Sequence, residues 1–344
     1  MKNVLRNIAR IKFPWLHVTC IALLFFYAGC KKIPDHLPTL HITTIASGLV
    51  SPMGLETDAN GNIWVCETGT AANDGKVVII TPSGEVHDAI VNLASISNAA
   101  SGETEGPAHL LFDNGTLYIL AGNYLYKANV SHFMPGDTPL DAASIPYEDI
   151  GSFSLSYPYV NDANDTHPYN LTKGPDGDLY ISDAGANAII HRKGAGNYSV
   201  LAELPDVANP TPVGAPQVQC VPTSIFYNGH DFLVTTLLGF PFPSGSALIY
   251  KVSMAGNVSV YQQGFTCLVD IAKGNFFGRL VLQYATFGAK GFEPNTGALV
   301  WATGTSARQL AGNLNMPTGL KQVNEYTWYI TSMGDGTLLK AAYY

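Results

Sequence analysis

Six segments of the chain repeat one pattern, and no other feature of the sequence restricts its fold so tightly. They are Pro52-Met-Gly-Leu, Pro107-Ala-His-Leu, Pro168-Tyr-Asn-Leu, Pro222-Thr-Ser-Ile, Leu268-Val-Asp-Ile and Pro317-Thr-Gly-Leu, with starts 46 to 61 residues apart. About ten residues after each anchor comes a short apolar run: Ile63-Trp-Val, Leu117-Tyr-Ile, Leu179-Tyr-Ile, Phe232-Leu-Val, Leu280-Val-Leu and Trp328-Tyr-Ile. Asn60-Gly61, Asn114-Gly115, Asp176-Gly177 and Asn228-Gly229 stand between anchor and run, the chemistry of a tight hairpin. Each copy therefore opens with two antiparallel strands. A third is readable in every copy, as at Val77–Ile80 and Leu248–Val252, and a fourth in four of them, at residues 86–91, 199–204, 258–262 and 308–311. Four strands per repeat of about fifty residues make the blade of a β-propeller, and six anchors predict six blades.

The two ends of the chain fit that ring. The sixth copy stops after its third strand, at Tyr344, while His41–Ala46 reads as a strand with no hairpin partner of its own. The N-terminal strand is therefore expected to complete the last blade, so that residues 41–344 form one closed all-β ring. Two separate domains of three copies each would leave sheet edges bare. Composition agrees: 34 Gly and 21 Pro supply turns, and charged residues are 13% against the usual ~25%. A net charge of −8 opposes nucleic acid, whose phosphates it would repel.

Within each anchor the fourth residue is always apolar, and the third is Gly54, His109, Asn170, Ser224, Asp270 or Gly319. Neighbours on a strand face opposite ways, so the fourth residues pack between blades and the third ones face the central channel. The end of the second strand adds Glu67, Asp183, Thr236, Tyr284 and Ser332 at matched offsets. The expectation is a polar pocket at a channel mouth, with Glu67, His109, Asn170, Asp183, Asp270 and Tyr284 binding a ligand. Glu105, Asn170 and Asp270 offer the oxygen donors that a divalent cation such as calcium takes, although polar channel groups equally hold ordered water. No Gly-x-Ser-x-Gly elbow, zinc-protease spacing or phosphate-cradling loop is present. His191 and His230, on a strand and a turn, read as structural.

Lys2, Arg6, Arg10 and Lys12 precede an uncharged apolar stretch over residues 18–27, which is then followed by Ala28-Gly29-Cys30. This is the order of a signal peptide, too short in its apolar part for a permanent span of ~20 residues. Ala28-Gly29-Cys30 resembles the lipobox of bacterial lipoproteins, with Tyr27 standing where Leu is usual. The resemblance implies cleavage after residue 29, acylation of Cys30, a tether over residues 30–40 and a place in the cell envelope, periplasmic or surface-exposed. An ordinary secretory signal would export the chain as well. The mature chain would keep 14 basic and 26 acidic residues, a net −12, and is expected to be a monomer. Cys20 is lost with the signal, leaving Cys66, Cys220 and Cys267. Cys220 and Cys267 fall just before consecutive anchors, and an exported location permits a disulfide wherever the Cα atoms come within about 7 Å.

Gly239-Phe-Pro-Phe-Pro-Ser-Gly245 cannot be central strand and reads as a rigid exposed loop. With Val221-Pro-Thr-Ser before it, Ala247-Leu-Ile-Tyr-Lys-Val after it, and the stretch from Pro168 to Asn187, it resembles the ScyD/ScyE family, exported propellers associated with scytonemin pigment biosynthesis. The resemblance spans roughly residues 42–341 and brings no catalytic residues with it. A looser likeness is to propellers of the SMP-30/gluconolactonase and NHL types; the former place Glu, Asn and Asp around a divalent ion, as Glu105, Asn170 and Asp270 would. Two functions follow. One is a ligand- or protein-binding scaffold of the envelope, with Phe240 and Phe242 as its contact loop beside Tyr157 and Tyr159. The other is a metal-dependent lactonase-like hydrolase at the channel mouth.

Overall fold

The computed structural model describes residues 39–98, 102–161, 164–275 and 278–344. The signal, the lipobox and most of the tether lie outside the described residues. Leu40–Tyr344 form one unit, a six-bladed propeller of four-stranded, mostly antiparallel sheets. Each anchor begins an innermost strand: Pro52–Thr57, Pro107–Asp113, Pro168–Lys173, Pro222–Tyr227, Leu268–Lys273 and Pro317–Asn324. The turns behind them use the residues the sequence marked. Gly61, Gly115, Gly177 and Gly229 all have positive φ, between 79° and 101°, a conformation glycine takes without a Cβ penalty.

The ring closes as expected. Leu40–Ser47 pairs antiparallel with Thr337–Tyr343, from Leu40 opposite Tyr343 to Ser47 opposite Thr337, with one irregularity at Ile45. The first and last residues of the ring thus share a blade, and no inner blade is left with an open side.

Six apolar clusters hold the blades together, one at each interface. Leu55, Leu110, Leu171, Ile225, Ile271 and Leu320, the fourth anchor residues, fall one into each cluster. The cluster around Leu55 joins the first blade (Ile63, Val65, Val78) to Ala46 of the N-terminal strand and Leu338 of the last blade. Hydroxyls add a second seam near the anchors. Thr68 donates to the Pro107 carbonyl, Thr223 to that of Leu268 and Thr318 to that of Pro52, at 3.1, 2.9 and 2.7 Å.

Every innermost strand is interrupted in the same place. Between the first anchor residue and the third or fourth, all six pairings with the second strand shift register. A bulge re-aims side chains and bends the strand. In four blades the residue just before the anchor also has positive φ: Ser51, Val221, Cys267 and Met316, between 43° and 48°.

The second copy departs from the pattern read in the sequence. Its fourth strand is only Tyr147–Asp149 and comes late, after Leu140–Asp141 has run parallel to Ile90–Val91 as a fifth strand on the first blade. A short helix, Ile150–Ser156, follows, capped by Asp149, whose side chain accepts from the Ser152 N–H at 2.9 Å. The insert therefore ties two blades together at the rim. Among the described residues no helix is long and apolar enough to cross a membrane. Cys66, Cys220 and Cys267 are buried free thiols. Cys220 points instead toward Asn187 Oδ1, at 3.4 Å.

Candidate functional site

A cavity of about 340 Å³ occupies the channel. Its lining runs from the third anchor residues, His109, Asn170, Ser224 and Asp270, to Lys273 and Gln322 near the far ends of their strands. The well therefore opens on the face of the hairpin turns between first and second strands, and the polar anchor residues form its floor. Near the mouth Lys321 and Glu56 form an ion pair at 2.6 Å. Burial of Glu56 outweighs the lysine and raises its pKa.

The floor is a hydrogen-bonded belt crossing five blades. Asp270 is buried, and its two oxygens accept the backbone N–H groups of Ile271 at 2.7 Å and Leu320 at 2.6 Å. The Ser224 hydroxyl also donates to it. Ser224 Oγ in turn accepts from Asn170 Nδ2 at 3.1 Å, and the second hydrogen of that amide reaches His109 Nδ1, also at 3.1 Å. Asn170 fixes the direction of the row: its amide nitrogen only donates, so Ser224 Oγ and His109 Nδ1 both accept, and the Ser224 proton is left for Asp270. His109 Nδ1 is then an acceptor and Nε2 carries the hydrogen. Nε2 is buried and has no protein partner.

Two glycines make the belt fit. A Cβ on Gly54 would lie 2.4 Å from the His109 ring, and one on Gly319 would lie 2.6 Å from the Met53 carbonyl oxygen. On its other side the His109 ring meets the buried Tyr169, ring centroids 5.1 Å apart. Burial, with no charge partner, holds the His109 pKa down to about 3. Burial likewise pushes Asp270 up to about 7, against its three donors.

Three residues expected at the channel mouth stand elsewhere. Glu67 accepts the Val50 N–H and lies 3.6 Å from Lys76 in a separate cleft of about 280 Å³. Asp183 is wholly enclosed by donors: Ser154 Oγ at 2.7 Å, Thr166 Oγ1 at 2.6 Å, and the N–H groups of His167 and Ala186 at 2.7 and 3.1 Å. Tyr284 packs edge-on against Phe292 at 5.0 Å. Glu67 and Asp183 end a second strand and Tyr284 directly follows one, one strand farther from the axis than the anchors. Glu105 stands apart too, in the small hairpin of Ile96–Ser97 and Thr104–Glu105, where it accepts from Asn98 Nδ2 at 2.5 Å. Of the proposed cation ligands only Asn170 and Asp270 line the cavity.

The contact loop sits on the opposite face of the ring. Phe240 is 59% exposed and caps a cluster in which Phe242 lies 4.8 Å from Phe287 and 4.9 Å from Phe292. Phe287 and Phe292 belong to the loop of the next blade, braced by its own small hairpin. That partnership was not legible in the sequence, where Phe287 and Phe292 carry no motif. Tyr157 and Tyr159 are half-buried, 4.8 Å apart, with the Tyr159 hydroxyl against Ser154 Oγ at 3.0 Å. Asp176, Asp178 and His191 group on a hairpin of the third blade, and His191 Nε2 lies 2.8 Å from Asp178. His191 is stacked on Tyr180 at 4.3 Å, in keeping with a structural role.

No family model matches the sequence, and no curated protein does. Solved structures are similar in fold. The PQQ-bound aldose sugar dehydrogenase of Streptomyces coelicolor aligns over 89% of this chain and 99% of its own at 12% identity, with a TM-score of 0.58. A putative gluconolactonase aligns over 88% and 92% at 11% identity, TM-score 0.52, and a streptogramin B lyase over 89% and 98% at 12% identity, TM-score 0.51. Their named activities differ, and a shared fold confers none of them. The common ground is the architecture: this chain is a six-bladed β-propeller.

Proposed function

We propose that the chain is an exported, lipid-anchored propeller of the ScyD/ScyE kind that serves as a binding and scaffolding module of the cell envelope, anchored through Cys30. One observation carries the binding role. Phe240 stands exposed above Phe242, Phe287 and Phe292, so a large apolar ring is presented by loops from two blades that brace each other. Rigid aromatic anchors lose little side-chain entropy on binding and dominate contact energies. Replacing Phe240 and Phe242 together by Ala should abolish retention of the envelope partner in crosslinking and pull-down from the native host, with the thermal midpoint little changed. Unchanged retention discards the loop as the contact. For the anchor, Cys30→Ala should move the protein from the membrane to the soluble fraction.

Asp270 favours a second reading, a metal-assisted lactonase-like hydrolase, because a carboxyl near 7 suits proton transfer. A calcium ion would there rest on Asn170 and Asp270. Against it, both Asp270 oxygens already accept backbone N–H groups, and Glu105 is turned to Asn98. Metal analysis of protein purified without chelators separates the two readings: a stoichiometric ion supports the hydrolase.

A further inference from the structure

The mouth of the channel well carries an inference independent of the aromatic face, which lies at the other end of the ring. We propose that the well binds a small organic anion, whose carboxylate or phosphate head is held between Lys273 and Arg279 and whose neutral remainder enters the channel.

These two cations are set side by side without a counter-charge. Lys273 ends the innermost strand of the fifth blade, Arg279 begins its partner strand, and the two stand directly opposite each other in the register. Opposed residues leave the same face of a sheet, and like charges placed there destabilise the pairing. The face is the one toward the fourth blade: the Arg279 guanidinium lies over the Phe226 ring, 5.3 Å from its centroid, and Phe226 and Lys273 both line the well. Lys173 and Lys321, on the innermost strands of two other blades, are neutralised by Asp113 and Glu56. Among the described residues neither Lys273 nor Arg279 has such a partner. Arg279 is half-buried and donates from Nη1 to the Gly278 carbonyl at 3.0 Å. Its Nε is enclosed, whereas Nη2 reaches the surface and is unbonded. An accessible guanidinium edge beside an exposed ammonium suits an oxyanion, which accepts from both.

The well sets the form of the rest of the ligand. Lys273 is exposed at its rim, with Thr172 and Gln322 half-buried among the lining side chains. The space of about 340 Å³ is at the small end of ligand pockets. Asp270 on the floor repels a second anionic group, so the negative charge belongs at the outer end of the ligand. An ammonium compound would be repelled at the rim, and a neutral one would leave both cations unanswered.

The test is calorimetric titration of the mature chain with hexanoate and with hexyl phosphate, against hexylammonium and hexanol. At least one of the two anions should bind saturably and neither control should, and a tenfold rise in salt should weaken binding. Lys273→Gln and Arg279→Gln should each weaken it about tenfold. Lys273→Glu should give the arginine its missing carboxylate, raising the thermal midpoint while abolishing binding. No saturable binding of either anion, equal binding of hexylammonium or hexanol, unchanged affinity in the two Gln variants, or a lowered midpoint in Lys273→Glu would each overturn the proposal. Should Arg279→Gln fail to fold, because its side chain packs on Phe226, the two substitutions at the exposed Lys273 still decide. The Phe240/Phe242 double variant should keep the anion binding, so loss of the contact loop and loss of this site read out separately.

Discussion

A histidine closed inside a protein without a charge partner makes acid harmful to the fold. His109 has its pKa held near 3 by burial, against 6.5 unfolded, so between those values the unfolded chain binds a proton that the folded one refuses. Stability from this group is complete above pH 6.5 and is lost as pH falls toward 3. Buried Glu56, Glu67 and Asp270 have raised values and act in the opposite sense over the acid range, so the contribution of His109 has to be isolated by difference. Between pH 6.5 and 4.5 the wild type should lose about 2 kcal/mol more than His109→Asn in denaturant titrations. Parallel curves for the two proteins would show that His109 is solvated or already protonated. The thiols offer a second check at this scale. Cys66, Cys220 and Cys267 are buried and unpaired, and burial raises all three, Cys267 to about 12. None should react with a thiol reagent at pH 8 in the native protein, and all three should react on unfolding.

The innermost strand is the element that decides what faces the channel, and its entry is strained. Val221 has φ +47° directly before Pro222, where a β-branched residue is unfavourable. Its N–H is bonded to Asn187 Oδ1 at 2.9 Å and its side chain is only half-buried, so Val221→Asn keeps the bond and tolerates the dihedral. It should stabilise by about 1 kcal/mol, measured as a shift in denaturant midpoint; destabilisation would mean that side-chain packing outweighs the backbone. These strands also mark how far the sequence could be read. Anchor spacing and Gly turns were enough for the six blades, because periodic apolar residues and positive-φ turns are local requirements. His109, Asn170 and Asp270 were legible as channel residues because strand alternation places them opposite the packing leucines. Glu67, Asp183 and Tyr284 were misplaced because matched offsets say nothing about how far a second strand stands from the axis or which loop folds over it. The short fourth strand of the second blade was missed because its three residues carry no period.

At the scale of the whole molecule, stability rests on a ring whose last joint is made by two ends of the chain. Five inter-blade clusters join blades that follow each other in sequence, and the sixth, around Leu55 and Leu338, joins the first to the last. That joint requires the strand Leu40–Ser47, which lies against Thr337–Tyr343 and contributes buried Ala46. Without it the last blade shows an unpaired edge, and the cluster between the first and last blades loses one wall. Deleting residues 39–47 should therefore cost several kcal/mol and lower the thermal midpoint by roughly 10 °C or more. The loss should be repairable from outside, since the edge is an ordinary antiparallel template. A synthetic peptide spanning residues 39–48 should restore part of the midpoint in a concentration-dependent way, while a scrambled peptide should not. If the deletion leaves unfolding unchanged, or both peptides act alike, closure does not pass through this strand. The belt across five blades, which needs the sixth to supply the Leu320 N–H to Asp270, would then have to be held in register by the hydroxyl seam alone.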